Sequence, residues 1–283
     1  MEMKKSSSIL VNKNTITSIA IGGFDGMHVA HQELFKNLDE HGAIVSIESG
    51  YANLTPKRYR QEYSIYPIYY YVLDSIKHLE GDLFVKLLNE EFPKLKKIVV
   101  GYDFCFGKNR KYCTEKLKEL FDGVVVVIDE IKVENIPVHS RVIREYLKDG
   151  DIQMANKLLG KEYKIYGQQI TGQGLGAKNF VPTINLKVKE FLLPKEGVYI
   201  TKTILDNKEY NSITFLGHRV TTDGSYAVET HILDEEIKDN NYTTQIKFIK
   251  KIRDNQKFES FEELKNQILK DINLTKDYFI NIY

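Results

Sequence analysis

The feature that most constrains this chain is a change of pattern near residue 160. Before it, short apolar runs alternate with helical periods. "SIAI" (18–21), "AIVSI" (43–47), "IYYYVL" (68–73), "KIVVGY" (97–102) and "GVVVVI" (123–128) read as strands, while Val29, Leu34, Leu38 and then Phe84, Leu87, Leu88 recur at helical spacing, with Gly42 as the stop of the first helix. Strands that are apolar throughout and separated by helices imply a parallel sheet covered on both faces, a Rossmann-like domain. From 139 to 160 the pattern is wholly helical, "SRVIREYLKDG" and then "DIQMANKLLG", each closed by glycine. Beyond Lys161 the helical period disappears. "YKIYGQQIT", "GVYITKTIL", "YNSITFL", "YAVETHIL" and "TTQIKFIKKI" are evenly spaced strands separated by "DNKE", "TTDG" and "KDNN" turns, the pattern of an antiparallel barrel or sandwich. A last helix starts at Ser260, where S-F-E-E is a capping box, and carries Leu264, Ile268 and Ile272 on one stripe. Two domains are predicted, 1–160 and 161–283.

Composition removes several functional classes. With 40 Lys+Arg against 39 Asp+Glu there is no basic field to drive non-specific nucleic-acid binding. The two cysteines, Cys105 and Cys113, are too few for a disulfide framework and lack the CxxC spacing of a zinc site, so a reduced cytoplasm is expected. "MEMKKSSSIL" has lysines but no apolar h-region, and runs such as "GVVVVI" fall far short of a membrane span. No targeting, membrane or nucleic-acid partner is expected, and a homo-oligomer is left open.

Chemistry concentrates first in "GGFDGMHVAH" (22–31), which follows the strand Ile19, Ala20, Ile21 and opens a helix. In a doubly wound sheet this first strand-to-helix turn holds phosphate on backbone N–H groups. Gly22, Gly23 and Gly26 would let the backbone approach a polyphosphate, and His28 and His31, three apart at the helix start, can face one point. A metal held by these histidines and Asp25 is disfavoured, because the positive end of the helix dipole repels a cation and attracts phosphate. The plain alternative is a glycine-rich turn with solvated histidines.

The segment resembles the GxFDGxHxGH signature of the FMN adenylyltransferase module in bacterial bifunctional riboflavin kinase/FAD synthetases, with Ala30 where that family has glycine. The resemblance continues in order along nearly the whole chain. "VVGYDFCFGKNR" (99–110) is similar to the family's VVGxDFxFG, with Cys105 in place of arginine, which implies a flavin-binding role for Asp103, Phe104 and Gly107. "VHSRVIR" (138–144) stands where the family has ISSTRIR. Ser140 and Arg144 fall on triphosphate-binding positions there, while His139, Arg141 and Val142 depart. "IESGY" (47–51) has neither the proline nor the histidine usual after the second strand.

In the second half, "TGQGLGAKNFVPTINL" (171–186) resembles the riboflavin kinase flap and P-T-A-N core. It implies nucleotide contacts at Gly172, Gly174 and Gly176 and Mg²⁺ with ATP at Thr183 and Asn185. Ala177, Asn179 and Phe180 depart from the family's pattern. "ITFLGHRVT" (213–221) keeps Gly217 and Arg219 but has Phe215 and Val220. "YAVETHILD" (226–234) resembles the E-V-H-L-D strand, which makes Glu229 the implied base, on the strand face shared by Ala227 and His231. "IRDNQKFESFEELKNQI" (252–268) resembles the family's closing segment and places Arg253 at the flavin.

The resemblance thus implies an α/β Rossmann-like nucleotidyltransferase domain followed by an antiparallel riboflavin kinase β-barrel with a C-terminal helix. The expected activity is phosphorylation of riboflavin by ATP to FMN and adenylylation of FMN to FAD with release of pyrophosphate. Glu229, His28, His31 and Arg144 would be the catalytic residues, and Gly22, Gly23, Phe24, Asp25, Gly26 and Ser140 would bind nucleotide. Mg²⁺ is the expected cofactor, with ATP, riboflavin and FMN as substrates and FAD as product. The alternatives are a single-function FMN adenylyltransferase with a degenerate kinase domain and a non-catalytic flavin- or nucleotide-binding protein.

Overall fold

The computed structural model describes residues 12–171, 181–219, 224–235 and 243–281. It forms two compact units, Met1–Ser140 and Arg141–Tyr283. The first unit contains β1 (Ser18–Gly22), α1 (Val29–Lys36), β2 (Gly42–Glu48), β3 (Ile68–Val72), α2 (Leu73–Ile76), α3 (Gly81–Glu91), β4 (Lys97–Gly101), β5 (Cys105–Phe106), β6 (Tyr112–Cys113), α4 (Thr114–Leu120), β7 (Val124–Ile128), β8 (Lys132–Val133) and β9 (Ile136–Pro137). Its sheet has the order β3-β2-β1-β4-β7, and every pair in it is parallel.

Strand alternation makes the two covered faces. Ile19, Ile21, Val45, Ile98 and Val100 point to one side, against Phe84, Leu88 and Leu117, while Ala20, Ile44 and Val99 point to the other, against Leu34 and Phe35 of α1. Because β1 pairs with β2 on one side and β4 on the other, the chain reverses its direction of travel at β1. The carboxyl ends of β1 and β4 therefore flank a topological switch point, the place where such sheets bind ligands.

Two local expectations change. Gly42 does not stop α1, which ends at Lys36; it opens β2, where a Cβ would meet Leu38 Cβ at 2.8 Å and the Asp39 carbonyl at 2.9 Å. β3 is an edge strand. Tyr69 and Tyr71 pack on the core, whereas Tyr70 and Val72 are exposed.

The second unit holds most of α5 (Ser140–Asp149), then α6 (Ile152–Leu159), β10 (Tyr163–Ile170), β11 (Ile184–Lys187), β12 (Gly197–Leu205), β13 (Lys208–His218), β14 (Tyr226–Ile232), β15 (Thr243–Arg253) and α7 (Phe261–Ile280). The six strands close into a barrel in the order β10-β11-β14-β13-β12-β15. The helices before it pack on it. Asn156 donates its amide to the Phe248 carbonyl at 2.8 Å and accepts from Tyr163 N–H at 2.7 Å, and the Leu147 carbonyl accepts from Lys195 N–H. The seam between the units accordingly lies at 140, ahead of the change of sequence pattern.

Inside the barrel, five fully buried hydroxyls form a closed ring, Thr201–Ser212–Thr203–Thr230–Thr214, with spacings of 2.8–3.0 Å. Each hydroxyl can donate once and accept once around such a ring, which satisfies polar groups that burial would otherwise penalise. Along β14 the inward residues are Val228, Thr230 and Ile232, so Glu229 and His231 lie on the outer face, half-buried. α7 is capped by Ser260, which accepts from Glu263 N–H, and lays Ile272 and Phe279 against Val198, Ile200 and Ile213.

Candidate active sites

In the first unit the turn after β1 has an unusual backbone. Phe24 (φ 50°), Gly26 (φ 87°) and Met27 (φ 46°) are all left-handed, and two of the three are not glycine, a conformation that costs roughly 1–3 kcal/mol at each such residue. The fold compensates from below. The buried Asp25 carboxylate accepts N–H bonds from Asn53, Leu54 and Thr55 at 2.9–3.2 Å, and Phe24 and Met27 are sealed in the core.

A second support runs through Arg60, whose side chain is fully buried. It donates to the Thr55 carbonyl at 3.1 Å and to Ser46 Oγ at 2.6 Å and pairs with Glu48; Ser46 Oγ lies 3.4 Å from the Gly23 carbonyl. Sequence reasoning missed Arg60 because it sits in the polar stretch "KRYRQEY", where nothing marks a buried cation. The Glu48 of "IESGY" is part of this support.

Above the supports the site is open. A Cβ on Gly23 would find nothing nearer than the Ile47 carbonyl at 4.0 Å. His28 is the N-cap of α1, its Nδ1 accepting from His31 N–H at 3.4 Å, and the two imidazoles stack with centroids 3.4 Å apart. Ser140 Oγ donates to the Asp25 carbonyl at 2.7 Å, which brings that distant serine to the same turn. Gly22 to Gly26, His28, His31 and Ser140 are thus gathered at the end of β1. Arg144 follows one turn along α5, in the second unit.

Asp103 is exposed at the neighbouring end of β4. Phe104 stacks on Phe106 with centroids 5.7 Å apart and packs on the core. Gly107 is left-handed (φ 70°), and a Cβ there would lie 2.5 Å from the Tyr112 ring, so the turn requires glycine. Sequence reasoning also overlooked Tyr102, whose hydroxyl lies 3.3 Å from His139 Nε2 and 3.1 Å from Glu130.

In the second unit, Asn185 on β11 faces Glu229 on β14 as a direct antiparallel pair, and Thr183 immediately precedes β11. Arg219 joins them. Its Nε donates to Glu229 Oε1 at 2.9 Å, its Nη2 to Asn185 Oδ1 at 2.8 Å and its Nη1 to Ser225 Oγ at 2.7 Å. The guanidinium therefore joins a site at which the resemblance had assigned roles to Thr183, Asn185 and Glu229. Beside it, His231 Nδ1 bonds the Pro182 carbonyl at 2.8 Å, and burial holds this imidazole below its ordinary pKa despite that bond.

Thr183 and Asn185 offer a hydroxyl and an amide oxygen, neutral ligands suited to a hard cation arriving with ATP. Asn185 Oδ1 keeps a second lone pair beyond the one directed at Arg219, so these residues fit Mg²⁺. Gly172, Gly174 and Gly176 lie outside the described residues, as do Ala177, Asn179, Phe180 and Val220. Arg253 has a local task. It pairs with the buried Asp271 of α7 at 2.8 Å and donates through Nη1 to the Asp254 carbonyl.

Known proteins resemble this chain along most of its length. The riboflavin kinase family profile matches residues 159–279. A bifunctional riboflavin kinase/FMN adenylyltransferase of Buchnera aphidicola subsp. Acyrthosiphon pisum is 30% identical, with 95% of each chain covered. Proteins of the same name from Haemophilus influenzae and Bacillus subtilis are 28% and 26% identical, covering 93% of this chain and 94% and 93% of theirs. A crystal structure titled as a macrolide-efflux protein from Streptococcus pneumoniae superposes with a TM-score of 0.82 at 25% identity, covering 93% of this chain and 94% of that one. Efflux is said of that protein; among the described residues here, no helix is long and apolar enough to cross a membrane.

Proposed function

This chain belongs to the family of bifunctional riboflavin kinase/FMN adenylyltransferases, and from that premise we propose which of its residues perform each reaction. It is a transferase of flavin-cofactor biosynthesis that makes FMN from riboflavin and ATP, and FAD from FMN and ATP. We divide the work at the change of pattern, with adenylylation in 1–160 and phosphorylation in 161–283, and we locate both in the cytoplasm.

In the barrel, Glu229 takes the proton of the riboflavin 5′-hydroxyl as that oxygen attacks the γ-phosphorus of ATP and ADP leaves. Arg219 grips Oε1 and fixes the carboxylate's direction. Thr183 and Asn185 hold Mg²⁺, with Gly172, Gly174 and Gly176 along the nucleotide. When bound, the metal neutralises phosphate charge as it develops.

In the Rossmann-like unit, the FMN phosphate attacks the α-phosphorus of ATP in line and pyrophosphate departs. Nothing covalent is asked of the protein, so positioning and electrostatics do the catalysis. The backbone of Gly22–Gly26 receives the phosphates at the positive end of α1. His28, His31 and Ser140 stabilise the charge, and Arg144, in the second unit, is the catalytic residue that the family resemblance adds. Asp25 and Phe24 act by holding the turn in shape. Asp103, Phe104 and Gly107 form the flavin side of this site, and Arg253 serves the flavin side of the kinase by fixing the end of β15 to α7.

One observation carries the reading: Glu229 stands opposite Asn185 on paired strands of the barrel, and His28, His31 and Ser140 lie around one turn of the first unit. Purified protein given riboflavin, ATP and Mg²⁺ should yield FMN and then FAD, and chelating the metal should stop both steps. FAD from supplied FMN with none of the FMN step would leave a single-function adenylyltransferase. No product from either flavin would overturn catalysis altogether.

A further inference from the structure

The only two cysteines of the 283-residue chain meet. Cys105 on β5 and Cys113 on β6 are direct cross-strand partners in a two-stranded ribbon, and their sulfurs are 2.9 Å apart. Neither side chain is sealed in the core: Cys105 is half-buried and Cys113 exposed. Both thiols are present as free cysteines.

The ribbon is anchored from outside the pair. Tyr112, the residue before Cys113, lays its ring so close to Gly81 and Gly107 that a Cβ on either would clash with it, and its hydroxyl donates to Glu80 at 2.6 Å. Lys108 N–H donates to the Leu79 carbonyl at 2.6 Å. The start of α3 therefore fixes both arms of the ribbon and holds the sulfurs together. Directly opposed residues of antiparallel strands have Cα atoms about 4.5–5.5 Å apart, inside the window that a disulfide accepts, and bond formation asks the sulfurs only to close to about 2.05 Å.

We propose that Cys105 and Cys113 form a reversible oxidation site, closing to an intramolecular cross-strand disulfide by exchange with a low-molecular-weight disulfide of the glutathione type. The more exposed Cys113, as thiolate, attacks one sulfur of the small disulfide. That S–S bond breaks, and one small thiolate leaves and takes up the proton Cys113 lost. Cys105, as thiolate, then attacks the Cys113 sulfur of the mixed disulfide, releasing the second small thiolate, which takes up the Cys105 proton. Two protein thiols are oxidised and one small disulfide is reduced to two thiols. Exposure and the short cross-strand span keep the bond open to reduction, unlike a buried structural disulfide. The proton shared with Cys105 holds the Cys113 thiol above its ordinary pKa, with Arg110 opposing, so exchange is slow and is best measured at equilibrium.

The test is chemical and independent of the flavin reactions. Full-length protein is brought to equilibrium with mixtures of oxidised and reduced glutathione, quenched with acid, treated with a maleimide in denaturant and weighed by mass spectrometry. The expected result is two maleimides on the reduced protein and none on the oxidised one, with a mass lower by two hydrogens, no lasting glutathione adduct and full return on reduction. Cys113→Ser and Cys105→Ser should each instead retain a single glutathione. Closure should also be at least about tenfold more favourable in the folded protein than in denaturant, because the anchored ribbon raises the effective concentration of one thiol at the other. Persistent glutathione adducts on the parent protein, disulfide-linked dimers, or no advantage of the folded over the unfolded chain would each overturn the proposal.

Discussion

Asp25 and Glu229 stand beside the two proposed phosphate-transfer sites, one in each unit, and the fold uses them in opposite ways. Asp25 is buried and surrounded by backbone; three N–H groups from one turn converge on it. Glu229 is half-buried on the outer face of a barrel strand and, among the described residues, is held by the Arg219 side chain. Backbone donors move only with the chain, so an acid they enclose is a fastener. A guanidinium on a long stem can swing aside, so an acid held by one can exchange it for a substrate proton. An aspartate inside a family signature can thus belong to the scaffold of a site, whereas a glutamate on a strand face can belong to its chemistry.

The largest effect expected from this contrast comes at Glu229. Glu229→Gln keeps the shape and an oxygen for Arg219 but removes the base, so FMN formation from riboflavin should fall roughly 10²–10⁴-fold while FAD formation from supplied FMN continues. Next is His31→Ala. The backbone N–H that His28 accepts from is retained, so the cap of α1 survives. FAD formation should fall roughly 10²–10³-fold, the usual effect of removing one electrostatic stabiliser, with riboflavin phosphorylation unchanged. If either substitution removes both activities from a protein that is still folded, the assignment of one reaction to each unit is wrong.

Asp25 gives the third prediction and the direct test of the contrast. Asp25→Ala strands three backbone donors in or near the core and should cost about 3 kcal/mol or more, read as a lower urea midpoint. Asp25→Asn keeps one acceptor oxygen and should recover part of that stability together with part of the adenylylation. A stable Asp25→Asn protein with no adenylylation would make Asp25 a chemical group and erase the distinction from Glu229.

Much of this was legible in the sequence. Apolar runs at 18–21, 43–47 and 97–102 became parallel strands because a strand buried on both faces must be apolar throughout, and the run at 123–128 became the partly exposed edge strand β7. The evenly spaced runs after 161 became barrel strands, and His28 and His31 met because three residues is one helical turn. What stayed hidden depends on contacts across the chain. β11 is four residues long and lies inside a glycine-rich signature, so period two had no length over which to show. The ribbon that pairs Cys105 with Cys113 has two-residue arms. Spacing does not show which groups Arg60 and Arg219 meet; folding places Ser46 and Glu48 around the one and Asn185 and Glu229 around the other. Arg253 carried a family expectation whose physical partner, Asp271, could not be guessed from spacing.

The smallest predicted effect concerns His231, two residues beyond Glu229 on the same face of β14. Burial is the main cause of its lowered pKa; the Pro182 carbonyl opposes it, and of the nearby charges Lys276 lowers it further while Asp234 raises it. In the unfolded chain this imidazole takes up its proton near its ordinary value of 6.5. As the pH falls below that point the unfolded state binds the proton while the native state does not yet, so unfolding gains free energy and stability declines until the native imidazole also titrates. His231→Gln can keep an N–H for the Pro182 carbonyl and has no proton to gain. Urea midpoints measured for both proteins from pH 7.5 to pH 5 should therefore diverge below 6.5, the parent falling faster. Equal slopes would mean that His231 titrates alike folded and unfolded, and that this face of β14 is open to water beside the proposed base.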